Sequence, residues 1–224
     1  MPRLLQIDHA GYSSLSDSDE CFYIGEYTSR GGFEASETNQ RISNLKKKPD
    51  CSPYELRYKK LAIMGWGNTL ATYLNPESVS TSVTFVPAPC SKPHGHAEYD
   101  ERMLQVLQQF ARHHNGPWDI RPVIYTHAAR PAQHEHGRLS IDELRTSMAI
   151  NAGLTKVPLR ETVVVVDDVF TQGRTFKAMQ SILMTLPNTK RVAGIFLAKT
   201  VWPHADVIFP DFPDISSANT LRLG

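Results

Sequence analysis

Two adjacent carboxylates, Asp167 and Asp168, follow the run Val163 to Val166 and precede a Thr171-x-Gly173-x-Thr175 pattern. A β-branched run without alternation reads as a strand covered on both faces. The two acids then stand at its carboxyl edge and point to opposite sides of it. In the turn that follows, the Thr171 and Thr175 hydroxyls, the flexible Gly173 and the N–H groups of a nascent helix surround one point. Unpaired N–H groups and the helix dipole both favour an anion there. Carboxylates beside that point accept hydrogen bonds from vicinal sugar hydroxyls, so one short segment can grip both ends of a ribose 5-phosphate. The competing reading is a plain strand end with Thr and Asp capping a helix.

Histidine is the side chain that titrates near neutral pH, and His94, His96, His127, His134 and His136 are candidates for general acid or base work. The pairs His94 with His96 and His134 with His136 have the look of metal ligands. No Cys or third ligand sits at a telling spacing, so they read as exposed or hydrogen-bonded loop residues. Trp202, after the last strand, either stacks on a base or seals the sheet edge, and Lys199 is a candidate for a base carbonyl contact. Phe209 and Phe212 lie in a proline-rich tail that reads as packing of the carboxyl terminus, with a hood over the site as the alternative.

The segment VVVVDDVFTQGRTF, Val163 to Phe176, resembles the phosphoribosyl diphosphate (PRPP) signature of type I phosphoribosyltransferases. The resemblance extends more weakly over roughly residues 81–200, and it is best to the ComF-like (competence protein-like) branch. It implies that Asp167 and Asp168 hold the ribose 2- and 3-hydroxyls, with Thr171, Gln172, Gly173, Arg174 and Thr175 around the 5-phosphate. FVPAPCSKPHG, Phe85 to Gly95, stands where that branch has a loop that meets pyrophosphate, which brings in Ala88, Pro89, Ser91 and Lys92. YDERM, Tyr99 to Met103, stands at its loop-to-helix junction. HAARPAQHEHGRLSIDELR, His127 to Arg145, resembles its mobile segment, so Arg130, Gln133 and Arg138 become ligands of the leaving diphosphate.

The implied chemistry is Mg²⁺-dependent transfer of a phosphoribosyl group with release of pyrophosphate, or its reverse. The catalytic residues would be Asp167, Asp168, Arg130 and Arg138. Magnesium would arrive on the substrate, with Asp167 and Asp168 as its nearest protein oxygens and no dedicated protein cage. The alternative is a sensor that keeps the cradle and binds PRPP or a nucleotide without turnover, because fold does not fix function. The diphosphate clamp between His127 and Arg145 favours the enzyme. The same resemblance implies a homodimer. Two features depart from the family pattern: the amino-terminal zinc ribbon frequent in that branch is missing, and Thr171 stands where purine-specific relatives carry an acid. The acceptor stays unassigned.

The elements that must position these residues read as alternating strand and helix. Strands are expected at Cys21–Thr28, Val83–Pro89, Ile120–His127, around Val163–Val166 and over VAGIFLAK. Helices are expected at about Tyr54–Leu74 with Pro53 at its start, Glu98–His113, Ile141–Ala152 and Arg174–Leu186. Ile63, Trp66, Leu70 and Leu74 form one apolar stripe on the first of these. Ser140 and Glu143 form a capping box. Such alternation implies a doubly wound, mostly parallel α/β sheet, with ligands beyond the carboxyl ends of its strands. Residues 1–80 read as an extension with a short strand region that packs on a core of residues 81–224. Residues 1–20 would pack loosely or act as a strap.

A chain of 224 residues with 41% hydrophobic and 21% charged residues is globular in composition. Lys plus Arg (24) nearly cancels Asp plus Glu (23), so no excess positive field holds nucleic acid or an anionic membrane. No apolar run approaches the roughly eighteen residues of a membrane span, and the first residues lack the apolar core of a signal peptide. A cytoplasmic location is expected. Cys21, Cys51 and Cys90 are widely spaced and read as structural thiols.

Overall fold

A computed structural model describes residues 2–128 and 139–203. A five-stranded sheet runs through the chain in the order β1-β2-β7-β6-β3. Its members are β1 (Leu5–Gln6), β2 (Glu20–Thr28), β3 (Val83–Pro87), β6 (Thr162–Phe170) and β7 (Arg191–Val201). Within this sheet, among the described residues, the β1–β2 pair is antiparallel and β2, β7, β6 and β3 are parallel neighbours. The fold is thus a mixed α/β arrangement around a mostly parallel sheet. Among the described residues, no helix is long and apolar enough to cross a membrane.

Among the described residues, α-helices accompany the sheet: α1 (Glu37–Leu45), α2 (Pro53–Tyr73), α3 (Pro76–Ser82), α4 (Arg102–Ala111), α5 (Ile141–Thr146) and α6 (Arg174–Leu183). Alternate side chains of β6 divide between two cores. Val163 and Val165 join Leu144 of α5 and Phe176, Met179 and Leu183 of α6 in one cluster. Val164 and Val166 join Ile42, Trp66, Leu70 and Phe110, from α1, α2 and α4, in the other. Burial on both faces is why β6 is written in valine, a β-branched residue stiff at χ1 and suited to a pleated surface.

α2 begins where the sequence predicts. Ser52 and Glu55 close a capping box and Pro53 occupies the first turn, where its missing N–H costs nothing. The Ser140–Glu143 box at the start of α5 also forms, and Cys21, Cys51 and Cys90 are not joined in disulfides. Elsewhere the boundaries shift. The helix expected from Glu98 begins only at Arg102.

The expected helix Ile141–Ala152 stops at Thr146, and Met148–Ile150 becomes strand β5. β5 pairs antiparallel with β4, Ile124–Thr126. The strand expected over Ile120–His127 is therefore split. Ile120 forms a single parallel bridge with Phe85 of the main sheet, and the chain then leaves that sheet to make the β4–β5 ribbon.

The amino-terminal segment does not pack loosely. Asp19, buried, accepts hydrogen bonds from Lys177 at 2.8 Å and Gln180 at 2.9 Å on α6. Tyr12 packs edge-on against Phe170 with ring centroids 4.9 Å apart. β2 is an inner strand of the sheet, in register with β7 from Glu20 opposite Ala193 to Thr28 opposite Val201.

Candidate functional site

The site forms because β3 ends before β6 does. Pro87 pairs with Val166, and Ala88 donates its N–H to the Val166 carbonyl at 2.9 Å. Beyond that point β6 keeps its ladder with β7 as far as Phe170 opposite Lys199, while its other side is open. Asp167 and Asp168 therefore lie within β6, just past the departure of β3, and not at its last residue as the sequence suggested.

By strand alternation Asp168 faces the layer of α1, α2 and α4, and cations from that layer meet it. Lys46, at the carboxyl end of α1, places Nζ 3.1 Å from Oδ1. Arg102, the first residue of α4, donates to Oδ2 through Nε at 3.0 Å and Nη2 at 2.7 Å. Arg102 also donates through Nη1 to Oδ2 of Asp100 at 3.0 Å. Lys59 reaches the same Asp100 oxygen at 2.7 Å and donates to the carbonyls of Leu45 at 2.8 Å and Lys47 at 2.7 Å. Lys59 thus fastens the turn that presents Lys46.

Burial alone would raise the Asp168 pKa, but Lys46 and Arg102 more than reverse it and hold the carboxyl well below the usual range. Asp167 has no ion-pair partner among the described residues. Burial, followed by the charge of Asp168 next to it, pushes its carboxyl up to about 6. Its Oδ1 accepts the Asp168 N–H at 2.8 Å. The two adjacent acids are thus electrostatically unlike, one an internal counter-ion and the other titrating nearer to neutral pH than a free carboxyl.

The turn after β6 leads directly into α6. Gly173 lies in the left-handed region at φ 74° as the residue before α6, and α6 starts with no side-chain cap and no acid in its first turn. The φ of 74° favours glycine, and a Cβ there would lie 3.0 Å from Leu15 Cδ2 and from the Phe170 ring, so those side chains would have to give by a few tenths of an ångström. The Thr171 and Thr200 hydroxyls are 3.3 Å apart. The Gln172 carbonyl accepts the Ser14 hydroxyl. The Arg174 guanidinium donates to the Leu139 carbonyl at 3.1 Å. Thr171, Gln172, Gly173, Arg174 and Thr175 share this one turn.

Other expected ligands are scattered. Ala88 and Pro89 line a separate cavity beside β3. Ser91 is exposed outside it, and Lys92 sits 3.8 Å from Glu98. Lys199 places Nζ 4.7 Å from the centre of the Tyr23 ring and 3.9 Å from Glu26. Trp202 is 51% exposed, with the Arg30 guanidinium 5.8 Å from its ring centre. Because β7 is an inner strand, Trp202 seals no sheet edge. Arg130, Gln133 and Arg138, with His134, His136, Phe209 and Phe212, lie outside the described residues.

Sequence reasoning missed Lys46, Lys59, Asp100 and Arg102. Lys46 stands in a run of three lysines, Lys46 to Lys48, and Arg102 in the Tyr99–Met103 junction, with no local pattern that ties either to the acid pair. The available signal was a buried acid pair in need of counter-charge.

A protein-held magnesium does not suit this arrangement. Both Asp168 oxygens already face cations, and the described residues contain no group of three His, Cys, Asp or Glu able to hold a metal.

No protein-family model matches this chain, and no curated protein matches it. Among solved structures it is similar to a hypoxanthine phosphoribosyltransferase from Staphylococcus aureus, with 10% sequence identity, a TM-score of 0.35, and coverage of 63% of this chain and 73% of that one. A likeness at that level leaves the function to be argued from the residues of this chain.

Proposed function

We propose that this chain is a phosphoribosyltransferase-like protein of the ComF-like kind. It binds PRPP or a nucleotide through its ribose 5-phosphate and transfers the phosphoribosyl group with release of pyrophosphate, or runs the reverse. The observation that carries this reading is the left-handed Gly173 before the uncapped amino terminus of α6, one turn beyond Asp167 and Asp168. Helix N–H groups attract the 5-phosphate. Asp167, the less neutralised acid, accepts from the ribose hydroxyls and, when ionised, stabilises positive charge that develops on the ribose ring.

Asp168 acts through position and field, because its oxygens are already engaged. Arg130, Arg138 and Gln133 complete the reading as ligands of the departing diphosphate, with Ala88, Pro89, Ser91 and Lys92 on the facing loop and Lys199 and Trp202 toward the acceptor. Magnesium, in this proposal, is carried by the diphosphate and supplies charge neutralisation there. The protein works in the cytoplasm, as a homodimer.

One observation favours the second reading, a sensor that binds PRPP or a nucleotide without turnover. An acid held by both Lys46 and Arg102 is less available to a reacting sugar than a free one. Calorimetric titration with PRPP and Mg²⁺, followed by phosphorus NMR for released pyrophosphate with a panel of bases, separates the two. Binding with pyrophosphate release supports the enzyme. Binding without release for any base supports the sensor, and no binding removes both.

A further inference from the structure

A cavity of about 600 Å³ opens between the end of β3, the segment leading into α4, and the β4–β5 ribbon. This is well within the range of small-molecule sites. Much of its wall is apolar, from Pro87, Leu104, Pro122, Ile124 and Ile150. Tyr99 supplies a flat aromatic face. Its ring stacks on His94 with centroids 4.2 Å apart and planes 35° apart. Its hydroxyl bonds His94 Nε2 at 3.0 Å and donates to Glu101 Oε1 at 3.1 Å. Tyr99 is thereby fixed between a base and an acid.

The charge on this wall is one-sided. Among the described lining residues there is no lysine or arginine. Asp100 also lines the cavity, but Lys59 and Arg102 neutralise it. Glu101 has no cation paired with it among the described residues, and its hydrogen-bond partner is the Tyr99 phenol. A carboxylate without a counter-ion beside flat apolar walls repels an anion and attracts a cation.

We infer that this cavity binds a small planar ring that carries a protonated amine or amidine. The cation meets Glu101, and the ring lies along Tyr99 and the apolar wall. This inference does not rest on the sugar-phosphate reading. The two sites share Ala88 and Pro89 at the end of β3, and Asp100, which lines the cavity, reaches Asp168 through Arg102.

The test is calorimetric titration of the full chain with three near-isosteres, benzamidine, benzamide and benzoate, which carry positive, zero and negative charge. Amide NMR identifies the residues that shift. Benzamidine should bind best, by roughly three- to tenfold over benzamide, as expected for a half-exposed ion pair. Shifts should centre on Tyr99, Leu104 and Asn151.

Glu101→Gln should abolish the preference without changing the melting temperature. Ala152→Phe, at an exposed lining position, should weaken all three ligands. The inference is overturned by any of four results: no saturable binding of benzamidine up to about 10 mM; benzoate binding as well as benzamidine; a preference that survives Glu101→Gln; or shifts confined to other parts of the chain. A parallel titration with ribose 5-phosphate reports on the β6–α6 turn alone, so failure at one site is distinguishable from failure at the other.

Discussion

Arg102 donates twice to Oδ2 of Asp168, from Nε at 3.0 Å and Nη2 at 2.7 Å, and its third contact at 3.0 Å ties Asp100 into the same network. The side chains of Asp168 and Asp100 are 8% and 7% exposed, so neither acid has water as a ready substitute partner. Three cations, Lys46, Lys59 and Arg102, therefore set the electrostatics of the candidate site from the helical layer.

Removing the guanidinium leaves two buried carboxylates short of a partner. Arg102→Met should destabilise the fold by about 3–5 kcal/mol, the usual cost of breaking a buried pair from one side. Lys46→Met should cost much less, because the Lys46 side chain is 43% exposed. Urea denaturation at pH 7 compares them; equal losses would show that Arg102 is no more than a surface contact.

The raised Asp167 carboxyl gives a stability signature of definite sign. Between the ordinary value of 3.8 and the folded value of about 6, the native state binds more protons than the unfolded chain. Stability from this group therefore falls as pH rises through that window. Asp168, depressed in the fold, stays ionised there and loses its contribution only at lower pH. Asp167→Asn should stabilise the protein at pH 7.5 by on the order of 1–2 kcal/mol, with the advantage fading between about pH 6 and pH 4. A constant difference across that range, followed by denaturation at each pH, would contradict the assignment.

Gly173→Ala meets both strain and contact. Its φ of 74° is costly for any residue with a Cβ, and that atom would press on Leu15 and Phe170 at 3.0 Å. A loss of roughly 1–3 kcal/mol is expected, together with loss of phosphate affinity. Thermal melts and titration with ribose 5-phosphate read the two effects; full stability with unchanged binding would mean that the turn rearranges freely.

Much of this architecture was legible because it depends on local pattern. Four buried valines announced β6, Pro53 announced α2, and Ser140 with Glu143 announced α5. The turn at Gly173 was legible for the same reason, since Gly173 and its neighbours are contiguous. β5 was hidden because Met148–Ile150 has only three residues and follows a genuine helix start, so the helix was extended across it. The place of β2 in the sheet was hidden because its partner, β7, lies far along the chain. The cations around Asp168 were illegible for that reason too: Arg102 is 66 residues away in sequence, and nothing local distinguishes Lys46 from Lys47 and Lys48.

In the acid pair itself, Asp168→Asn should weaken ribose 5-phosphate binding by roughly 1–3 kcal/mol, as for a disturbed buried acceptor. An unchanged dissociation constant, measured by calorimetry, would restrict Asp168 to holding α1 and α4.

The most direct measurement is a crystal structure of the protein soaked with ribose 5-phosphate. The phosphate should lie within hydrogen-bond reach of the N–H groups of residues 173–175, with the ribose hydroxyls turned toward Asp167. A saturated crystal with the phosphate bound elsewhere, or with that turn empty, would contradict the central claim.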